Sequence, residues 1–63
     1  MNFKIFKDYK GVDKINIGQE AYDISTPEKK LAIIQKIMVN EIEMDVSSKK
    51  QALKELRVYE VQS

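Results

Sequence analysis

A chain of 63 residues with neither cysteine nor histidine lacks the two commonest staples of very small domains. Disulfides are excluded outright, and a zinc site of the usual kind has no ligands to build on. A domain of roughly 60 residues buries only about 60% of the surface its unfolded chain exposes, and a single core of that size supplies on the order of 3–5 kcal/mol. Self-association is the remaining supplement. The sequence therefore predicts one domain spanning residues 1–63 that completes its core as a homo-oligomer.

The same two absences narrow the chemistry. Without His or Cys the common nucleophile and base pairs are missing, and Gly11 and Gly18, the only glycines, belong to no phosphate-binding loop. No enzyme activity and no cofactor are predicted. Eleven Lys and Arg against ten Asp and Glu give a net charge of +1, which lacks the basic excess of a typical nucleic-acid binder. At 43% hydrophobic and 33% charged residues, the chain falls on the folded side of the boundary with disorder. The opening Met1-Asn2-Phe3-Lys4-Ile5-Phe6-Lys7 holds no apolar stretch of signal-peptide length. The longest uncharged apolar run, Leu31 to Ile34, is far too short to span a bilayer. A cytoplasmic protein without membrane contact is the expectation.

Hydropathy patterning predicts an α+β fold. Phe3 and Ile5 share one strand face, as do Ile15 and Ile17, and Asp8-Tyr9-Lys10-Gly11 has the composition of a turn. This predicts a β-hairpin of about 2–7 paired with 12–17. Gly18 ends its second strand, and Ala21-Tyr22-Asp23-Ile24 forms a short extended piece. Ser25-Thr26-Pro27-Glu28 joins a hydroxyl cap, an early-turn proline and a capping-box Glu, with either Ser25 or Thr26 able to serve as the cap. A first helix of about 26–45 follows, although the alternation of Glu41-Ile42-Glu43-Met44-Asp45-Val46 also suits a strand after a cap at Asn40. A second helix of about 48–59 starts at Ser47-Ser48, and its tail at 57–61 can instead extend.

Three groups of residues are candidates for function. Leu31, Ile34, Met38 and Ile42 make one apolar stripe on the first helix, with Ile33, Ile37 and Met44 beside it. Together they exceed the roughly 100° face that a small monomer covers. With Leu53 and Leu56 of the second helix they are the predicted oligomer interface. Glu41, Glu43 and Asp45 form an acidic group suited to a basic protein partner, to a hard cation, or simply to solvent. On the hairpin, Lys4, Lys7, Lys10 and Lys14 interleave with Phe3, Phe6 and Tyr9, a composition shared by single-strand-binding surfaces and by ordinary protected strand edges.

Ala21-Tyr22-Asp23-Ile24, the capped helix from Thr26, and Ser47-Ser48-Lys49-Lys50-Gln51-Ala52-Leu53-Lys54-Glu55-Leu56 resemble the strand, helix, helix order of ribbon-helix-helix repressors. The resemblance implies a dimeric DNA-binding regulator in which Ser47 or Ser48 anchors phosphate beside Lys49 and Lys50. Against it stand Asp23 in the strand, the missing interhelical Gly, a longer first helix and the preceding hairpin. Over its whole length, the chain is similar to the small uncharacterised YonK-type proteins of Bacillus SPβ-like prophages. That similarity is carried by Asn2-Phe3-Lys4-Ile5-Phe6 and Pro27-Glu28-Lys29-Lys30-Leu31. It implies a phage-encoded accessory protein and transfers no site residues. A protein that acts by self-association and protein binding is the function predicted first, with DNA-binding regulation as its alternative.

Overall fold

The computed structural model describes residues 2–59. Three strands, β1 (Phe3–Lys7), β2 (Asp13–Ile17) and β3 (Glu20–Asp23), precede two helices, α1 (Pro27–Met38) and α2 (Val46–Val58). The strands form one antiparallel sheet in the order β1-β2-β3. In the first hairpin Phe3 pairs with Ile17, Ile5 with Ile15 and Lys7 with Asp13, so the apolar positions of both strands fall on one face. Its turn is organised by Asp8, whose Oδ1 accepts the backbone N–H groups of Lys10 and Val12 at 2.9 Å each. Gly11 takes a φ of 79°, which a side chain would oppose.

The extended piece at 21–24 proves to be a third strand. Gly18 adopts a φ of 63° and reverses the chain so tightly that Glu20 pairs with Ile17 and Tyr22 with Ile15. The sheet is therefore a three-stranded meander rather than a lone hairpin, and it offers the helices a broader face.

Thr26 caps α1. Its backbone is extended, its hydroxyl oxygen accepts the Lys29 N–H at 3.2 Å, and Pro27 occupies the first helical position. Ser25 lies outside the helix and donates its N–H to Asp23 Oδ1 at 2.8 Å. The helix stops at Met38 and does not reach residue 45. Asn40 turns left-handed with a φ of 64°, and the N–H groups of Glu41 and Ile42 both return to the Lys36 carbonyl at 2.9 and 3.2 Å. Electrostatics explains this early end. Glu41, Glu43 and Asp45 would crowd negative charge onto a helix C-terminus, whereas Asp45 at the start of a helix meets the favourable end of the dipole. Asp45 is accordingly the cap of α2 and accepts the Ser48 N–H at 3.1 Å, so α2 begins at Val46, ahead of the predicted start. Residues 41–45 are neither helix nor strand. At the other end α2 runs through Val58 and Tyr59 is extended; the predicted alternative at 60 and 61 lies outside the described residues.

The core gathers Ile15 and Ile17 of the sheet, Ile24, the inner face of α1 (Ile33, Ile34, Ile37), Ile42 of the interhelical loop, and Ala52 and Leu56 of α2. Phe3, Ile5, Tyr22, Met44, Leu53 and Tyr59 pack around its margin. By ending α1 at Met38, the chain swings Ile42 back under the sheet instead of leaving it on a projecting rod.

Candidate functional site

The predicted oligomer interface divides in two. Ile33, Ile34, Ile37, Ile42 and Leu56 are buried within the single chain, and Leu53 is half-buried at the core margin. Within the single chain the third strand and the folded-back loop cover the isoleucines of α1 and its following loop, and the remainder of the two stripes stays partly or largely uncovered. Leu31 and Met38 remain 54% and 50% exposed, and Val39, which the sequence did not single out, is 65% exposed. These three share the outer side of α1 with Ala32 and Gln35. Beside Met38 and Val39 the surface dips into a shallow groove of about 470 Å³ whose wall also includes Ala32, Gln35 and Lys36.

The acidic group is likewise divided. Asp45 serves as the helix cap described above, while Glu41 and Glu43 are exposed. They share with Glu20 a depression of about 430 Å³ between the β2–β3 turn and the interhelical loop. Among the described residues, no group of three or more carboxylates is placed to hold a metal ion.

The hairpin lysines and aromatics do not form one surface. Lys7 pairs with Asp13 at 2.8 Å, Lys14 pairs with Asp8 at 3.3 Å, and the Lys10 ammonium lies 5.6 Å from the centre of the Tyr9 ring. Phe3 faces the helices with Ile17, whereas Phe6 pairs with Lys14 on the opposite face and Tyr9 projects from the turn. On α2, Ser47 and Ser48 lie in the first turn. The Ser48 N–H is held by Asp45, Lys49 donates to Asn40 Oδ1 at 3.0 Å, and Lys50 is exposed. An anion approaching this helix start meets the Asp45 carboxylate first.

A polar constellation that shares only Lys7 with the predicted groups fastens the two ends of the fold. Asp13 is only 5% exposed, and its Oδ1 accepts both the Lys7 ammonium at 2.8 Å and the Tyr59 hydroxyl at 2.6 Å. The Lys30 ammonium donates to the Tyr59 carbonyl at 3.0 Å, and the Ile24 N–H donates to the Asp13 carbonyl at 3.0 Å. Hydrogen bonds from Lys7 and Tyr59 hold the Asp13 carboxyl below the usual carboxylate range. The same contacts push both the Tyr59 phenol and the Lys7 ammonium up. These contacts tie the first two strands to the residue that follows α2, so the cluster acts as a clasp. One signal in the sequence pointed to it: Asp13 stands in phase with Ile15 and Ile17, and a carboxylate on the buried face of a strand needs partners.

A second carboxylate anchors the entry to α1. The Ser25 hydroxyl and N–H, with the Lys29 ammonium at 3.2 Å, hold Asp23 at about 2 instead of 3.8. No helix among the described residues is long and apolar enough to cross a membrane. The chain matches no protein-family model, no curated protein and no solved structure.

Proposed function

We propose that this protein is a small interaction module that acts by binding, first to further copies of itself through the outer face of α1 and then to a protein partner. The observation that carries this is the exposure of Leu31, Met38 and Val39 along one side of a helix whose opposite side already fills the core. Helix faces with several large apolar residues in water are a common mark of association surfaces. Pairing two such faces removes that surface from water at about 25 cal/mol per Å². For a chain this short, mass action then adds stability that its own core is too small to supply. The interface proposed here is narrower than the one expected from the sequence: Leu31 and Met38 with Val39, and not the buried isoleucines.

Sedimentation equilibrium from low to high micromolar protein tests the proposal. Wild type is expected to associate, and the double variant Leu31→Glu, Met38→Glu to sediment as a folded monomer. A wild type that stays monomeric throughout this range overturns it. A ribbon-helix-helix regulator has weaker support. In that family the strand before the first helix pairs with a second copy, whereas β3 here pairs with β2 of its own chain, and Asp45 places negative charge where phosphate would dock. The similarity to YonK-type phage proteins is compatible with a binding role and adds no residue to it.

A further inference from the structure

We infer that the outer face of α2 docks an acidic segment of a different protein, one that carries an apolar side chain between its carboxylates. This binding surface goes beyond self-association and does not depend on it. Lys50, Lys54 and Arg57 follow one another at helical spacing along the solvent side of α2, and none of them has an ion pair or hydrogen bond among the described residues. No exposed residue of α2 is a carboxylate. Glu55, the only acid in the helix, is half-buried and accepts from Gln51 Nε2 at 2.9 Å. The chain as a whole is almost neutral at +1, so the cationic face is a local arrangement. Its counterpart must be anionic.

The shape of the face selects among anions. Lys50, Lys54 and Arg57 border a groove of about 390 Å³ that also contains Leu53 and Val58, and Val58 is 74% exposed. A nucleic-acid backbone has no use for an apolar strip, and among the described residues no aromatic ring lines this groove for bases to stack upon. A bilayer surface would need an apolar helix face to insert, but the apolar side of α2, Ala52 and Leu56, is sealed in the core. A second copy fits poorly too. Its exposed acids that stand beside apolar side chains, Glu28 near Leu31 and Glu41 near Met38 and Val39, belong to the α1 face already proposed for self-association, and Ile42 between Glu41 and Glu43 is buried. An acidic segment with a free apolar side chain satisfies both the rim and the groove, with the carboxylates reaching the cations and the anchor resting against Leu53 and Val58.

The test is a titration of the isotope-labelled full chain, followed through its backbone amide signals. The probes are a synthetic peptide of Glu and Leu at helical spacing, a polyglutamate of equal charge, and a random-sequence DNA duplex. Expected are shifts concentrated at 50–58 with the Glu/Leu peptide, and affinity at least about tenfold above polyglutamate, since charge steers and the anchor holds. The variant Lys50→Glu, Lys54→Glu, Arg57→Glu should lose this binding at an unchanged melting temperature. Should that variant melt, the single change Lys54→Gln, expected to weaken binding about threefold, decides. Equal affinity for polyglutamate, no shifts on α2, or stronger shifts of the same amides by DNA each overturn the proposal.

Discussion

The two helices are close in length, at 12 and 13 residues, and meet the same core, yet their outer sides differ in kind. α1 buries Ile33, Ile34 and Ile37 and still leaves Leu31, Met38 and Val39 in water. α2 buries only Ala52 and Leu56 and turns cations outward. The difference teaches that apolar content on a helix measures two separate things: what the chain itself needs, and what it offers to others. α2 keeps Ala52 and Leu56 inside and leaves Val46 and Val58 exposed at its two ends, so the middle of its exterior is free to carry charge. α1 has more than the sheet and loop can cover, and the surplus lies on one side instead of being scattered around the helix.

The comparison can be broken most forcefully from the inside. Ile37 and Leu56 are each fully buried, one per helix, and replacing either by Ala should cost about 2–5 kcal/mol. Urea midpoints measure this. A small loss at Ile37 together with a large one at Leu56 would mean that α1 contributes less to the core than its burial indicates.

A sizeable effect is also expected from acid, and it tests the carboxylates that hold the first turn, the clasp and the entry to α1. Asp8, Asp13 and Asp23 are all held below their ordinary 3.8, Asp23 at about 2. A depressed carboxyl contributes stability that is fully present above its unfolded value and is lost as pH falls through its folded value. Stability should therefore be level near neutrality and decline from about pH 4 toward pH 2, followed by denaturant midpoints at each pH. Asp13→Asn should flatten part of that slope, and an unaltered slope would show that the clasp carboxyl is not ionised in the way its contacts require. On the alkaline side Tyr59 and Lys7 are raised, so their contribution holds below the ordinary phenol and ammonium values and is lost as pH rises through the raised ones.

A smaller change is expected at the clasp itself. Tyr59→Phe deletes only the hydroxyl bound to Asp13 and should lower stability by about 1 kcal/mol, a shift of roughly 4–8 °C in melting temperature for a domain of this size. Smallest of all are changes outside the core. Leu31→Glu with Met38→Glu on α1, and Lys54→Gln on α2, should each leave monomer stability within about 0.5 kcal/mol while abolishing self-association in the first case only. Calorimetry on dilute protein, compared with sedimentation, separates these outcomes. Loss of stability in the dilute α1 variant would mean that its outer side supports the chain itself.

Much of the fold was legible because local chemistry and periodicity agreed. Phe3, Ile5, Ile15 and Ile17 specified the first hairpin down to its strand faces, and Thr26 with Pro27 marked the start of α1. The end of α1 was legible only as an alternative, the cap at Asn40, because Ile42 and Met44 continue an apolar pattern that a helix accommodates. Only the left-handed Asn40 and the needs of α2 for a negative cap reveal that they belong to a loop. β3 was faint since four residues with two acids carry little strand signal; its pairing comes from the turn at Gly18. Of the candidate surfaces, the sequence supplied Leu31 and Met38 but could not separate them from the isoleucines beside them. Which stripe meets the sheet depends on the direction in which α1 leaves Ile24, a tertiary fact. Lys54 and Arg57 went unnoticed for a related reason: isolated basic residues gain meaning only once their side of the helix is known to lack acids.

Tyr59 and Asp13 lie 46 positions apart along the chain. A contact across so much intervening polymer is slow to close and profitable only after everything between has settled. The last tyrosine thus acts as a closing buckle, and slackness there should be felt at the opposite terminus, as faster solvent exchange of the amides in the first two strands.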